Sequence, residues 1–116
     1  MIKVVLEKQG LLEALENDVQ LLEEVIGVFL ADSPGKLAKL RTAVIVRDSN
    51  QIATGSHSLR GSLGIFGAMA AAEAAQKLES MGRQRKVESV DEAFSLLERE
   101  MALVTSALDR ILNDPF

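Results

Sequence analysis

The chain contains no cysteine, an absence that removes disulfides, thiolate metal sites and cysteine nucleophiles together and fits a reducing compartment. Tryptophan and tyrosine are missing as well; the four aromatic residues are all phenylalanine, so the core has to be mostly aliphatic. Histidine occurs once, at His57, which leaves mainly carboxylates to build any metal site. Proline occurs at Pro34 and Pro115 alone. No window comes near the roughly 20 consecutive apolar residues that span a bilayer. The opening MIKVVLEKQG also lacks the long apolar core and small-residue cleavage site of a secretory signal, so the expected location is cytoplasmic. The net charge is -4, and the one basic run, GRQRKVES at 82–89, reads as a solvated loop between helices. Neither nucleic acid nor anionic lipid is therefore expected as a partner.

What the chain does have is helical periodicity. Its 116 residues suffice for one domain, 1–116, with one hydrophobic core. Apolar spacings of three and four recur from end to end, and strand-type alternation is scarce. Leu11, Leu12 and Leu15 suggest a short first helix. Asn17 or Asp18 is placed to cap a longer one striped by Leu21, Leu22, Val25, Ile26, Phe29 and Leu30, ending near Asp32. Ser33-Pro34 then reads as an N-cap followed by proline at a first helical position, restarting a helix through Leu37, Leu40, Val44 and Ile45. Asp48-Ser49-Asn50 makes a polar break before Ile52, Leu59, Leu63 and Phe66. The alanine-rich segment 68–81 follows, with Gly82 as its expected C-cap, and a last helix carries Val90, Phe94, Leu97, Met101, Val104, Leu108 and Leu112. The fold class expected is all-α: an antiparallel up-down four-helix bundle with a short extra N-terminal helix, monomeric because one bundle buries these stripes.

Half of the glycines fall between residues 55 and 67, around the single histidine. At about 100° per residue, Ile52, Ser56, Leu59, Leu63 and Phe66 share one direction, and His57 lies about 140° away, facing solvent. Ala53, Gly61, Gly64 and Ala68 project within roughly 40° of His57, with Arg60 about 60° to one side. Each glycine inside a helix costs about 1 kcal/mol relative to alanine, so Gly61 and Gly64 call for an offsetting use. Clearing space beside the imidazole is such a use, and Arg60 offers guanidinium donors to an anion held there. A phosphoryl group carried on the histidine fits this arrangement. The same residues are equally those of an ordinary surface histidine near a close helix contact, and Gly67 is as readily a helix C-cap as part of the cleared strip.

The run His57-Ser58-Leu59-Arg60-Gly61-Ser62-Leu63-Gly64-Ile65-Phe66-Gly67 resembles the signature of histidine phosphotransfer (HPt) domains. There the histidine is followed by a basic residue at the third position, a glycine at the fourth, and small residues or glycines at the seventh and tenth. Phe29 to Pro34, at the end of one expected helix, and Lys77-Leu78-Glu79 are also similar to the family. One position departs from it: Arg60 stands where lysine is usual, and a planar guanidinium binds two phosphate oxygens where an ammonium is a point charge.

The resemblance implies a phosphorelay intermediate. His57 is then the phosphoryl acceptor, through Nε2, taking the group from a receiver-domain phospho-aspartate and passing it to another receiver aspartate. Arg60 stabilises the phosphate, and Ala53, Gly61, Gly64, Ile65 and Ala68 form the face over which the partner docks. The domain has no cofactor or metal of its own; the receiver supplies Mg²⁺. It is a phosphohistidine carrier and not a self-contained enzyme, and its partners are response-regulator receivers or a hybrid sensor histidine kinase. Two other readings stand beside this one: the phosphotransfer domain of a chemotaxis-type histidine kinase, and a non-catalytic helical adaptor whose glycines serve close packing.

Overall fold

The computed structural model describes residues 6–113. Residues 1–5, the first half of the segment compared with a secretory signal, and residues 114–116, which include Pro115, lie outside the described residues. Five helices and no strand are found among the described residues: α1 (Lys8–Ala14), α2 (Val19–Ile45), α3 (Ser49–Ile65), α4 (Met69–Arg83) and α5 (Val90–Asn113). The all-α class expected from the periodicity is the one observed. The four long helices pack in a ring, α2 on α3, α3 on α4, α4 on α5 and α5 back on α2, while α1 touches α2. Leu22, Ile26, Leu40, Ile52, Leu59, Leu63, Leu78, Val90, Leu97, Val104 and Leu108 are fully enclosed between them, and Phe29 meets Phe66 edge-on at 5.3 Å.

The expected break at Ser33-Pro34 is absent, and α2 runs through it from Val19 to Ile45. Pro34 removes one helical N–H and crowds the carbonyl four residues back, at a cost of about 3 kcal/mol. Yet Phe29, Ser33, Leu40 and Val44 are all buried at steps that keep one helical phase across the proline, and restarting the helix would turn this stripe away from the core. Fully burying residues such as Leu40 and Val44 is worth about 1.5–3 kcal/mol each, which outweighs the proline's cost.

The loops follow local chemistry. Asp18 and Asp48 cap α2 and α3, accepting hydrogen bonds from Leu21 N at 2.9 Å and Gln51 N at 3.1 Å. Gly67, at φ 65°, closes α3: its N–H reaches Gly64 O at 3.1 Å and that of Ala68 reaches Leu63 O at 3.2 Å. Gly82 does not cap α4. Arg85, at φ 57°, takes that turn, and Gly82 is buried inside the helix, directly against the α3 backbone at Ser49 and Ala53. The basic run therefore begins within α4, and only residues 84–89 connect to α5.

Candidate functional site

His57 sits at the middle of α3, opposite the buried Ile52, Ser56, Leu59 and Leu63, and its side chain is 58% exposed. Apart from Ala53, the core and solvent faces of α3 are divided as projected from the sequence. A neighbouring helix comes much closer to the imidazole than the projection anticipated. The buried residues of α4 include the small Ala71, Ala74, Ala75 and Gly82, and Gly82 lies directly against the α3 backbone at Ser49 and Ala53; the close packing of α4 on α3 brings Glu79 beneath the histidine.

Glu79 is buried, with its side chain only 7% exposed, and it gathers three partners. Its Oε2 lies 3.1 Å from His57 Nδ1 and accepts from Arg83 Nε at 3.0 Å and Arg83 Nη2 at 2.7 Å. Its Oε1 lies 3.0 Å from Arg60 Nε. Burial pushes the Glu79 carboxyl up, but hydrogen bonds from Arg83 and His57, with the nearby charges of Arg60 and His57, outweigh it and hold the group below its ordinary value. The carboxylate is consequently ionised at neutral pH. An ionised oxygen only accepts, so Nδ1 carries the ring hydrogen and donates it to Oε2, leaving the Nε2 lone pair toward solvent. A buried carboxylate thereby fixes the imidazole in its nucleophilic tautomer and is positioned to stabilise positive charge that develops on the ring.

Because folding lowers the Glu79 pKa, its stabilising contribution is complete above its ordinary value of 4.5 and is lost as pH falls through the lowered value. Urea midpoints of the wild type are expected to fall on acidification through this range more steeply than those of Glu79→Gln. Parallel curves would show that the carboxylate contributes nothing to the acid limb.

The sequence-derived site residues divide in two. Gly61 and Gly64 are exposed, with no atom of the described residues within 4 Å of where a Cβ would stand, and Ile65 beside them is 59% exposed. Ala53 and Ala68 are buried and cannot form part of an open face. Projection of one helix omits its neighbours: Ala53 lies where α4 crosses, its backbone under Gly82, and Ala68 is the N-cap residue of α4. Arg60 is beside the imidazole as expected, but on the Nδ1 side, its Nη2 3.0 Å from that nitrogen. Glu79 and Arg83 were missed as site residues. Their signal was present, an acidic residue four positions from Ala75 in phase with the alanine stripe and followed at i+4 by an arginine. No group of three or more His, Asp or Glu suited to a metal ion occurs among the described residues, and none of their helices is long and apolar enough to cross a membrane.

A small all-helical domain that holds one exposed histidine over a buried carboxylate, with two guanidiniums and bare backbone around it, has the form of a phosphohistidine carrier. The model of the Hpt domain family matches residues 24–113, and the chain belongs to that family. It is a histidine phosphotransfer intermediate of phosphorelays. Among solved structures, its fold is similar to the crystal structure of histidine-containing phosphotransfer protein B (HptB) from Pseudomonas aeruginosa PAO1, with a TM-score of 0.78 and 23% identity over 90% of this chain and 89% of that one. No curated protein matches the sequence.

Proposed function

We propose that His57 takes a phosphoryl group on Nε2 from the phospho-aspartate of one receiver domain and delivers it to the aspartate of another. The observation that carries this reading is that the chain has a single histidine and that Glu79 orients it with Nε2 outward. In the transfer step the Nε2 lone pair forms the N–P bond as the P–O bond to the receiver aspartate breaks and returns its electrons to that carboxylate. The ring gains positive charge, Nδ1–H stays on the imidazole, and its hydrogen bond to the ionised Glu79 strengthens as the charge develops. The reaction asks mainly for in-line placement and charge neutralisation, so Mg²⁺ held by the receiver suffices and this chain needs no metal.

The partner docks over α3 on the side of Gly61, Gly64 and Ile65. A groove of about 340 Å³ between α2 and α3 continues this face and is lined in part by Leu21, Val28 and Ile65, three exposed apolar residues gathered at one place on the surface. The short connections between consecutive helices support an antiparallel, up-and-down course, which lays α2 beside α3 along this face.

The test is incubation with phosphorylated receiver domains, followed by assay for alkali-stable, acid-labile phosphate on the chain. Gly64→Glu refines it. The new side chain has room to fold, but it places bulk and negative charge in the path of the receiver, so transfer is expected to slow about tenfold with stability unchanged. Unaltered transfer kinetics would remove Gly64 from the docking face.

A further inference from the structure

Two arginines share one buried carboxylate, and their holds on it are unequal. Arg83 grips Glu79 Oε2 through both Nε and Nη2, at 3.0 and 2.7 Å, from the next turn of the same helix. Arg60 reaches Oε1 at 3.0 Å, yet Oε1 has no hydrogen-bond partner, so this contact is an ion pair without a directed bond. The second contact of Arg60 is weaker still. Its Nη2 faces His57 Nδ1 at 3.0 Å, but Nδ1 donates its hydrogen to Glu79 and has no lone pair to offer, which sets donor against donor. In the resting site Arg60 is therefore the cation loosely tied, and Arg83 the one tied well.

Charge accounting points the same way. Glu79 carries one negative charge against two guanidiniums, an excess of one positive charge beside a group that is to receive a phosphoryl bearing about two negative charges. If one arginine turns to the phosphoryl group, the buried carboxylate still needs the other, because an unpaired charge at 7% exposure is strongly disfavoured. Arg60 lies three residues after His57 on α3 and is the one able to turn; Arg83 stays.

We propose that Arg83 is a positioning residue for the transfer reaction: it remains on Glu79 as the permanent counter-ion and so frees Arg60 to leave Oε1 for the phosphoryl group arriving on His57 Nε2. This rests on His57 being the acceptor. No new bond is made by Arg83 itself; it acts by keeping Glu79 ionised and neutralised after Arg60 has moved.

Single-turnover phosphorylation by a saturating phosphorylated receiver tests the idea, with receiver affinity measured separately. Arg83→Gln is expected to slow the transfer step about tenfold, a loss comparable to that of Arg60→Gln, with receiver affinity unchanged. Arg83→Lys, which keeps the charge without the fork, recovers part of it. Glu79→Gln removes the charge that needs balancing, so adding Arg83→Gln to that variant is expected to change its rate less than about twofold. A spectroscopic reading accompanies the kinetics: the Arg60 Nε–H resonance shifts on phosphorylation of the wild type and stays in place on phosphorylation of Arg83→Gln. An unaffected rate in Arg83→Gln, or an equal slowing in the presence and absence of Glu79→Gln, overturns the proposal, the latter by showing that Arg83 meets the phosphoryl group directly. A wild type that takes no phosphate at all overturns the acceptor role of His57 instead.

Discussion

His57→Gln is expected to abolish phosphate labelling by any phosphorylated receiver while leaving helicity and the urea midpoint close to those of the wild type. The chain offers no second imidazole to take over. Glutamine is of similar length, is well tolerated in helices, and its side-chain amide still donates to Glu79 Oε2, so the buried carboxylate keeps a partner. What the substitution removes is the nitrogen lone pair: an amide nitrogen is delocalised into its carbonyl and does not attack phosphorus. Because the imidazole is largely in solvent, its loss opens no cavity, and stability should change by no more than about 0.5 kcal/mol. Acid-labile, alkali-stable phosphate persisting in this variant would defeat the acceptor role; a lost label accompanied by lost circular dichroism would mean that His57 supports the fold.

Gly82→Ala is expected to be the most damaging single-methyl change in the domain. An added Cβ would stand 2.8 Å from both Ala53 N and Ser49 O and 3.1 Å from Ile52 Cγ2. The first two are backbone atoms in the opening turns of α3, with no rotamer by which to withdraw. Alanine gains about 1 kcal/mol in helix propensity over glycine. Forcing a methyl into a full interface costs about 1–3 kcal/mol and more where backbone must move, so a net loss of about 2 kcal/mol is expected from the urea midpoint. Function should suffer too. Gly82 lies one turn from Glu79, and separating α4 from α3 there draws the carboxylate away from Nδ1, so any folded Gly82→Ala should also transfer more slowly. A midpoint at or above the wild-type value would show that the two helices relax apart without penalty.

The two substitutions sample different layers of information in the chain. The solvent-facing placement of His57 follows from helical phase within α3 alone: Ile52, Leu59 and Leu63 must point inward, and the angle per residue does the rest. Caps such as Asp48 and the αL turn at Gly67 are equally local, since each depends on atoms within a few residues. The exposure of Gly61 and Gly64 is legible in the same way. Local signals misled at Pro34, where the Ser-Pro pair favours a helix start but the apolar stripe continues in phase through it. They misled again at Gly82, where glycine after an alanine-rich helix resembles a cap but lies inside α4 with no room for a methyl against the α3 backbone.

From its own residues, then, this sequence determined an all-helical domain, the position and outward aim of its one histidine, and the cleared backbone beside it, because periodicity and caps act over distances of one or two turns. Only the tertiary structure decided what lies under the imidazole. Glu79 is distant from His57 along the chain and reaches it because α4 packs closely on α3, with Gly82 directly against the α3 backbone. That contact sets the tautomer, buries Ala53 away from the docking face, and gathers Arg60 and Arg83 around one carboxylate, none of which the phase of a single helix encodes.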